Sequence, residues 1–211
     1  MNPKQFIIAI VLGTALAAGT FFALRMQVPS EPEFALVLPA PNPVAEFSLL
    51  NQHGTPIDQT VFEGQWDLLF FGFTHCPDVC PTTLQVLAAA KATLQENGQV
   101  PLPRIVLVSV DPERDTPELM RQYVDYFGEG NLGITGTLDE ITKLTSGLGI
   151  YFEKHAQNDD DNGADDGDDY AVDHSAAVLV INPDGGFEAL FSGPHVVDNY
   201  VHDLPLVMGG N

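Results

Sequence analysis

Three short, nearly continuous apolar runs constrain this chain more than any other feature. They are residues 68–71 (Leu-Leu-Phe-Phe), 105–110 (Ile-Val-Leu-Val-Ser-Val) and 176–181 (Ala-Ala-Val-Leu-Val-Ile). A strand with one wet face alternates apolar and polar residues, whereas a run without alternation has to be covered on both faces. Helical segments lie between the runs. Residues 82–96 are rich in Leu, Ala, Gln and Lys, end at Gly98, and carry Leu84, Leu87, Ala88 and Leu94 on one face. Thr116 and Pro117 read as a helix cap and first helical position, with the helix continuing over 119–127. Residues 138–148 read as another helix and 150–152 as a strand. The turn Asn182-Pro183-Asp184-Gly185 returns the third run into a strand at 187–191, and 195–206 closes the chain as a short helix. At the other end, 47–50 and 56–57 flank a turn at 51–54 and form a hairpin. Strands alternating with helices predict an α/β domain with a mixed central sheet and helices on both faces.

The only two cysteines, Cys76 and Cys80, follow the first run directly. Pro81 then suits the first turn of a helix, so the pair sits at a strand-to-helix junction. The positive end of the helix favours thiolate over thiol there. Cysteines four apart share one helical face, so both sulfurs can meet one atom. A cysteine pair at the first such junction of a βαβ core is the thioredoxin-like arrangement. The spacing departs from the usual redox motif by one residue, since Pro77, Asp78 and Val79 lie between the cysteines. A disulfide remains feasible, and so does a metal. Two thiolates select copper(I) or zinc over hard cations, and a third ligand is then needed. Six histidines are candidates: His53, His75, His155, His174, His195 and His202. His75 adjoins Cys76 and points away from Cys80. His174 precedes the third buried run, and ligand sites in such sheets lie beyond strand ends.

The totals narrow the function classes. Eight Lys and Arg stand against 29 Asp and Glu, a formal charge of −21, which argues against nucleic acid and anionic lipid as partners. It fits a solvated acidic surface, with a basic protein partner as the sharper alternative. Two cysteines cannot build a disulfide scaffold. Residues 6–24 carry no charge and are long enough as a helix to cross a bilayer core of about 30 Å. A cleaved signal peptide with Ala15-Leu16-Ala17 as its site is the alternative, but the run stays apolar through Phe21, Phe22 and Leu24. Both place the remainder outside the cytoplasm. Five prolines at 29, 32, 39, 41 and 43 predict an extended spacer between membrane and domain.

Three motifs occur in order: Gly72-Phe73-Thr74-His75-Cys76-Pro77-Asp78-Val79-Cys80-Pro81, Asp111-Pro112-Glu113-Arg114-Asp115-Thr116-Pro117-Glu118, and Val172-Asp173-His174-Ser175. Together they resemble the Sco/SenC family of copper chaperones, over about residues 45 to 205. The resemblance implies a thioredoxin-like domain that binds one copper ion, copper(I) or copper(II), through Cys76, Cys80 and His174. It implies a role in assembling the binuclear copper centre of cytochrome c oxidase subunit II, with other copper chaperones or thiol reductants as further partners. Some members are thought to reduce that centre's cysteines instead. The alternative function is therefore a membrane-anchored thiol-disulfide oxidoreductase using Cys76 and Cys80 as its redox pair. A thiol peroxidase fits worse, because its threonine stands three residues before the cysteine and Thr74 stands two before Cys76. An N-terminal anchor is usual in the family. The expected plan is a cytoplasmic N-terminus at 1–5, a membrane span at 6–24, a linker at 25–44 and the domain at 45–207. The protein would cross a bacterial inner membrane once and face the periplasm.

Within the third motif, Asp173 is a candidate to orient the His174 ring, although adjacent side chains often diverge. Asp78 is expected to face water, and the 111–118 loop to act chiefly as a helix cap. The acidic run at 158–169, inside an expected loop at 156–170, matches a calcium loop only partly, because Asn158 opens it and Asp169 closes it. It reads as an acidic insertion that leaves His174 on a loop able to swing in when copper arrives.

Overall fold

The computed structural model describes residues 31–156 and 170–209, with isolated positions 2, 3, 5, 13, 14 and 19. Two compact units divide the chain, Met1–Glu31 and Pro32–Asn211. The expected span at 6–24 lies outside the described residues except for Gly13, Thr14 and Gly19, and the acidic run at 158–169 lies wholly outside them. Among the described residues no helix is long and apolar enough to cross a membrane.

The second unit is built on an eight-stranded mixed sheet. Its strands are β1 (Ala35–Pro43), β2 (Leu49–Asn51), β3 (Pro56–Ile57), β4 (Asp67–Gly72), β5 (Arg104–Ser109), β6 (Leu132–Thr135), β9 (Val178–Ile181) and β10 (Gly186–Phe191), in the order β1-β10-β9-β4-β5-β6-β2-β3. Strands β7 (Phe152–Ala156) and β8 (Tyr170–His174) pair only with each other. The helices are α1 (Val79–Glu96), α2 (Pro117–Tyr126), α3 (Leu138–Gly147) and α4 (Val197–Gly209). The three apolar runs occupy the centre of the sheet as β4, β5 and β9. Every residue of β4 and β9 is buried, and each large apolar side chain among them contributes about 1.5–3 kcal/mol through burial.

Strand direction fixes where function can sit. β4 runs parallel to β5, with Gly72 opposite Ser109, and antiparallel to β9, with Phe70 opposite Val178. The loops leaving β4 and β5 therefore emerge side by side, joined by Val110 N–H donating to the Gly72 carbonyl at 2.9 Å. The chain entering β9 arrives at that same edge, because an antiparallel strand begins where its neighbour ends.

Several elements differ from expectation. The proline-rich stretch is not a free spacer: residues 35–43 form β1, an edge strand on β10, and the folded unit begins at Pro32 rather than at 45. Edge strands tolerate proline because one side of the backbone needs no partner. The register shifts between Val37 and Asn42, around Pro39 and Pro41. A Cβ on Gly186 would lie 2.8 Å from Pro41 Cβ, so glycine there lets that bulged edge approach. The strand expected at 150–152 lies later, at Phe152–Ala156. Residues 132–135 (Leu-Gly-Ile-Thr) give a weak strand signal because glycine is poor in strands. They nonetheless form β6, where Gly133 packs under Met120 and Gln52. Thr116 caps α2 as expected, accepting from Leu119 N–H.

Candidate metal centre

Cys76 lies in the loop between β4 and α1, and Cys80 lies in the first turn of α1. Gly72 makes room for them: a Cβ there would lie 2.8 Å from Cys80 Sγ and 2.9 Å from the Phe70 ring. The connecting loop is held by Asp115, which is fully buried. Its carboxylate accepts from Thr74 N–H at 3.1 Å, from Thr74 Oγ1 at 2.5 Å and from Ser109 Oγ at 2.6 Å. At the helix start, the Asp78 side chain takes the cap position without accepting a backbone N–H, and Cys80 N–H donates instead to Cys76 Sγ at 3.4 Å. The sulfur thus takes up an amide that a helix N-terminus leaves unpaired.

His174 comes from the separate hairpin. Residues two apart in a strand share a face, and Tyr170 and Val172 on that face are buried while His174 is half-buried. Its Nε2 lies 3.4 Å from Cys80 Sγ. Its Nδ1 donates to the Ser175 carbonyl oxygen at 3.0 Å, which fixes the ring with Nε2 facing the sulfurs. Phe70 and Phe73 meet the ring edge-to-face at 5.8 and 5.9 Å. The ligand atoms of Cys76, Cys80 and His174 all lie within 4.8 Å of one another, the one such cluster among the described residues.

The two sulfurs share one proton. Hydrogen bonding from the Cys80 thiol, helped by His174 and by the Asp78 and Cys80 amides, outweighs burial and brings the Cys76 thiol down to about 4. The same pairing and then burial push the Cys80 thiol up. The pair is therefore a half-exposed thiolate beside a buried thiol, with its two ionisations driven apart. Both cysteines are unbridged. Burial, and then negative charge on the sulfurs, also push the Tyr123 hydroxyl up.

Of the six histidines, only His174 reaches the sulfurs. His75 turns to Thr74 Oγ1 at 3.1 Å. His155 lies 3.1 Å from Asp173, His202 Nδ1 lies 2.6 Å from Asp203, and His195 Nε2 donates to the Ala176 carbonyl at 2.6 Å. His53 is exposed in the β2–β3 turn. Two expectations are corrected. Asp173 does not orient His174, because consecutive strand residues face opposite ways and Asp173 is turned to His155. His174 is not on a loop: it ends β8, opposite Phe152. Asp78 is exposed, as expected. Sequence reasoning overlooked Tyr170, Gly72 and the buried Asp111 and Asp115. The alternation Tyr170, Val172, His174 was the available signal for the first. Gly72, Asp111 and Asp115 stand within the motifs quoted above, but composition and periodicity do not reveal which groups they meet.

Residues 38–208 match the family model SCO1/SenC. The mouse "Protein SCO2 homolog, mitochondrial" is 35% identical over 159 residues, 75% of this chain and 60% of that protein, so the chain spans less than two thirds of that relative's length. Arabidopsis thaliana ScoI, solved with copper bound, is 35% identical with a TM-score of 0.66 over 74% of this chain and 92% of that one. The solution structure of apo Sco1 from Thermus thermophilus is 33% identical with a TM-score of 0.71, covering 86% and 99%.

Proposed function

The chain belongs to the SCO1/SenC family, with the thioredoxin-like mixed sheet and flanking helices of Sco proteins, and on that premise we propose that it is a copper chaperone. It takes one copper ion as cargo on Cys76, Cys80 and His174 and assists assembly of the binuclear copper centre of cytochrome c oxidase subunit II. The observation that carries this reading is the convergence of two sulfurs and one imidazole nitrogen within 4.8 Å. Soft sulfur with imidazole suits copper(I) and accepts copper(II). Copper in the Arabidopsis relative supports the choice of metal. Cys76 is ionised at neutral pH and Cys80 holds its proton, so metal entry has to displace the Cys80 proton. Three ligands leave positions on the ion for an acceptor's donors, which is what transfer by ligand exchange requires. The uncharged run at 6–24 would anchor the protein once in a bacterial inner membrane, with 1–5 in the cytoplasm and the domain in the periplasm.

A second reading rests on the split acidity of the pair. A half-exposed thiolate beside a buried thiol is also what thiol–disulfide exchange uses, so the protein would reduce the cysteines of the acceptor's copper site. Copper titration of the full chain, repeated on Cys76→Ser, Cys80→Ser and His174→Ala, separates the two. The chaperone reading expects one tight copper in the parent and a marked loss in each variant. One tight copper with unchanged spectra in His174→Ala would remove His174 from the site and transfer the function to the reductant.

A further inference from the structure

The hairpin that carries His174 makes no ladder hydrogen bonds to the main sheet. Its seating therefore depends on side chains: Val172 and Phe152 pack against the core, and a polar group gathers at the end remote from His174. Tyr170 lies four residues before His174, about 13 Å along an extended strand. Its hydroxyl donates to one oxygen of Asp111, and Arg114 Nε donates to the other. Asp111 is nearly inaccessible, at 3% exposure, on the loop that follows β5. The Arg114 guanidinium carbon stands 3.8 Å from the centroid of the Tyr170 ring, and one of its amino groups reaches the Tyr170 carbonyl at 3.5 Å. Lys154, on the same hairpin face, places its ammonium 3.5 Å from that centroid and 2.6 Å from Glu113 of the β5–α2 loop. Arg114 also reaches the other half of the site. Its guanidinium carbon lies 5.9 Å from the centroid of Phe73, and Phe73 packs edge-on against His174.

We propose that Asp111, Arg114 and Tyr170 form a clamp that locks the β7–β8 hairpin to the β5–α2 loop and so presets His174 beside Cys80 before metal arrives. The inference rests on the copper-site reading above, and it replaces a histidine that swings in with one held ready. A planar guanidinium stacked on a ring while bonded to a carboxylate resists tilting in a way that one apolar contact does not. Tilting the hairpin about its Ser175 end would break the stack first and carry Nε2 away from the sulfurs. Asp111, Arg114 and Tyr170 touch no ligand atom of the site and act on the metal only through His174, as positioning residues.

The test uses the full chain and its Arg114→Gln and Tyr170→Phe variants, loaded with copper(II). Copper affinity, the histidine-nitrogen coupling in pulsed electron paramagnetic resonance, and hydrogen exchange of residues 152–156 and 170–174 in the metal-free protein are measured for each. The clamp predicts affinity about 10- to 100-fold weaker in Arg114→Gln, the range for outer partners of metal ligands. It also predicts weakened nitrogen coupling and faster hairpin exchange. Tyr170→Phe, which keeps the ring and its cations and loses only the hydroxyl, moves the same readouts the same way by less. If Arg114→Gln does not fold, Tyr170→Phe decides. Unchanged nitrogen coupling and exchange in a folded variant overturn the clamp and leave the copper site standing. Absence of histidine coupling in the parent protein overturns the ligand set itself.

Discussion

Cys76 is the residue whose chemistry depends most on its surroundings. A thiol ordinarily ionises near 9, and here bonding from Cys80, His174 and two backbone amides brings it down to about 4. The thiolate is therefore the resting form throughout the neutral range, and only acid removes it. In the metal-free reduced protein, alkylation of Cys76 should keep its neutral rate down to about pH 5 and fall only on approaching pH 4. Cys80, buried and pushed the other way, should react far more slowly. Mass spectrometry of the singly modified chain checks both, and equal reactivity at pH 6 would contradict the shared-proton description. Gly72 gives a second prediction. In Gly72→Ala the new methyl meets Cys80 Sγ and the Phe70 ring below 3.0 Å. Strand and helix start would have to separate, at about 1–3 kcal/mol, lowering both thermal stability and copper affinity. His195 ties the chain entering β9 to α4. It bridges the Ala176 carbonyl and the Tyr200 hydroxyl, each at 2.6 Å, and burial pulls its pKa down. Its neutral form is the one the fold uses.

Among the elements, β1 depends most on a single side chain. Asp203 on α4 is fully buried and accepts the backbone amides of Phe34 and Ala35 at 2.6 Å and of Glu33 at 3.1 Å. Burial alone would raise its pKa, but the His202 ring and these three amides outweigh burial and lower it. An acid depressed on folding stabilises above its unfolded value, here 3.8, and loses that contribution as pH falls through the lower folded value. Strand β1 should therefore loosen in acid below pH 3.8, seen as faster hydrogen exchange at residues 33–37. Asp203→Asn should exchange fast at neutral pH and show little further response to acid. Equal protection in the variant and the parent would show that β1 is held by its pairing with β10 alone. The β7–β8 hairpin differs, because no ladder joins it to the sheet and the Tyr170 contacts take that role.

For the molecule as a whole, charge dominates. With a net −21, the folded chain repels itself, and salt screens that repulsion over a Debye length of about 10 Å at 0.1 M. The melting temperature should rise as sodium chloride increases from about 0.01 M to 0.1 M. A fall would mean that attractive pairs such as Arg104–Asp67, at 2.7 Å, outweigh the surplus of acid. Under the proposed chaperone role, the same charge favours a basic docking face on the acceptor, with association that weakens as salt rises.

Local chemistry alone determined the cysteine pair at a strand-to-helix junction, the three central strands, the Thr116 cap and the α/β class. Each follows from residues within a few positions of one another, where periodicity and capping act. Tertiary structure decided what depends on groups distant in sequence. It turned the proline-rich stretch into β1, because β10 offers an edge and Asp203 offers a carboxylate from far along the chain. It placed His174 in a strand 3.4 Å from a sulfur 94 positions away. It turned Asp173 away from that site, because neighbouring strand residues point to opposite faces. The three-motif resemblance named the three residues whose ligand atoms converge within 4.8 Å. The distances, the donor direction of the His174 ring and the contacts that seat its hairpin arise only when the parallel β4 and β5 end at the edge where the antiparallel β9 begins.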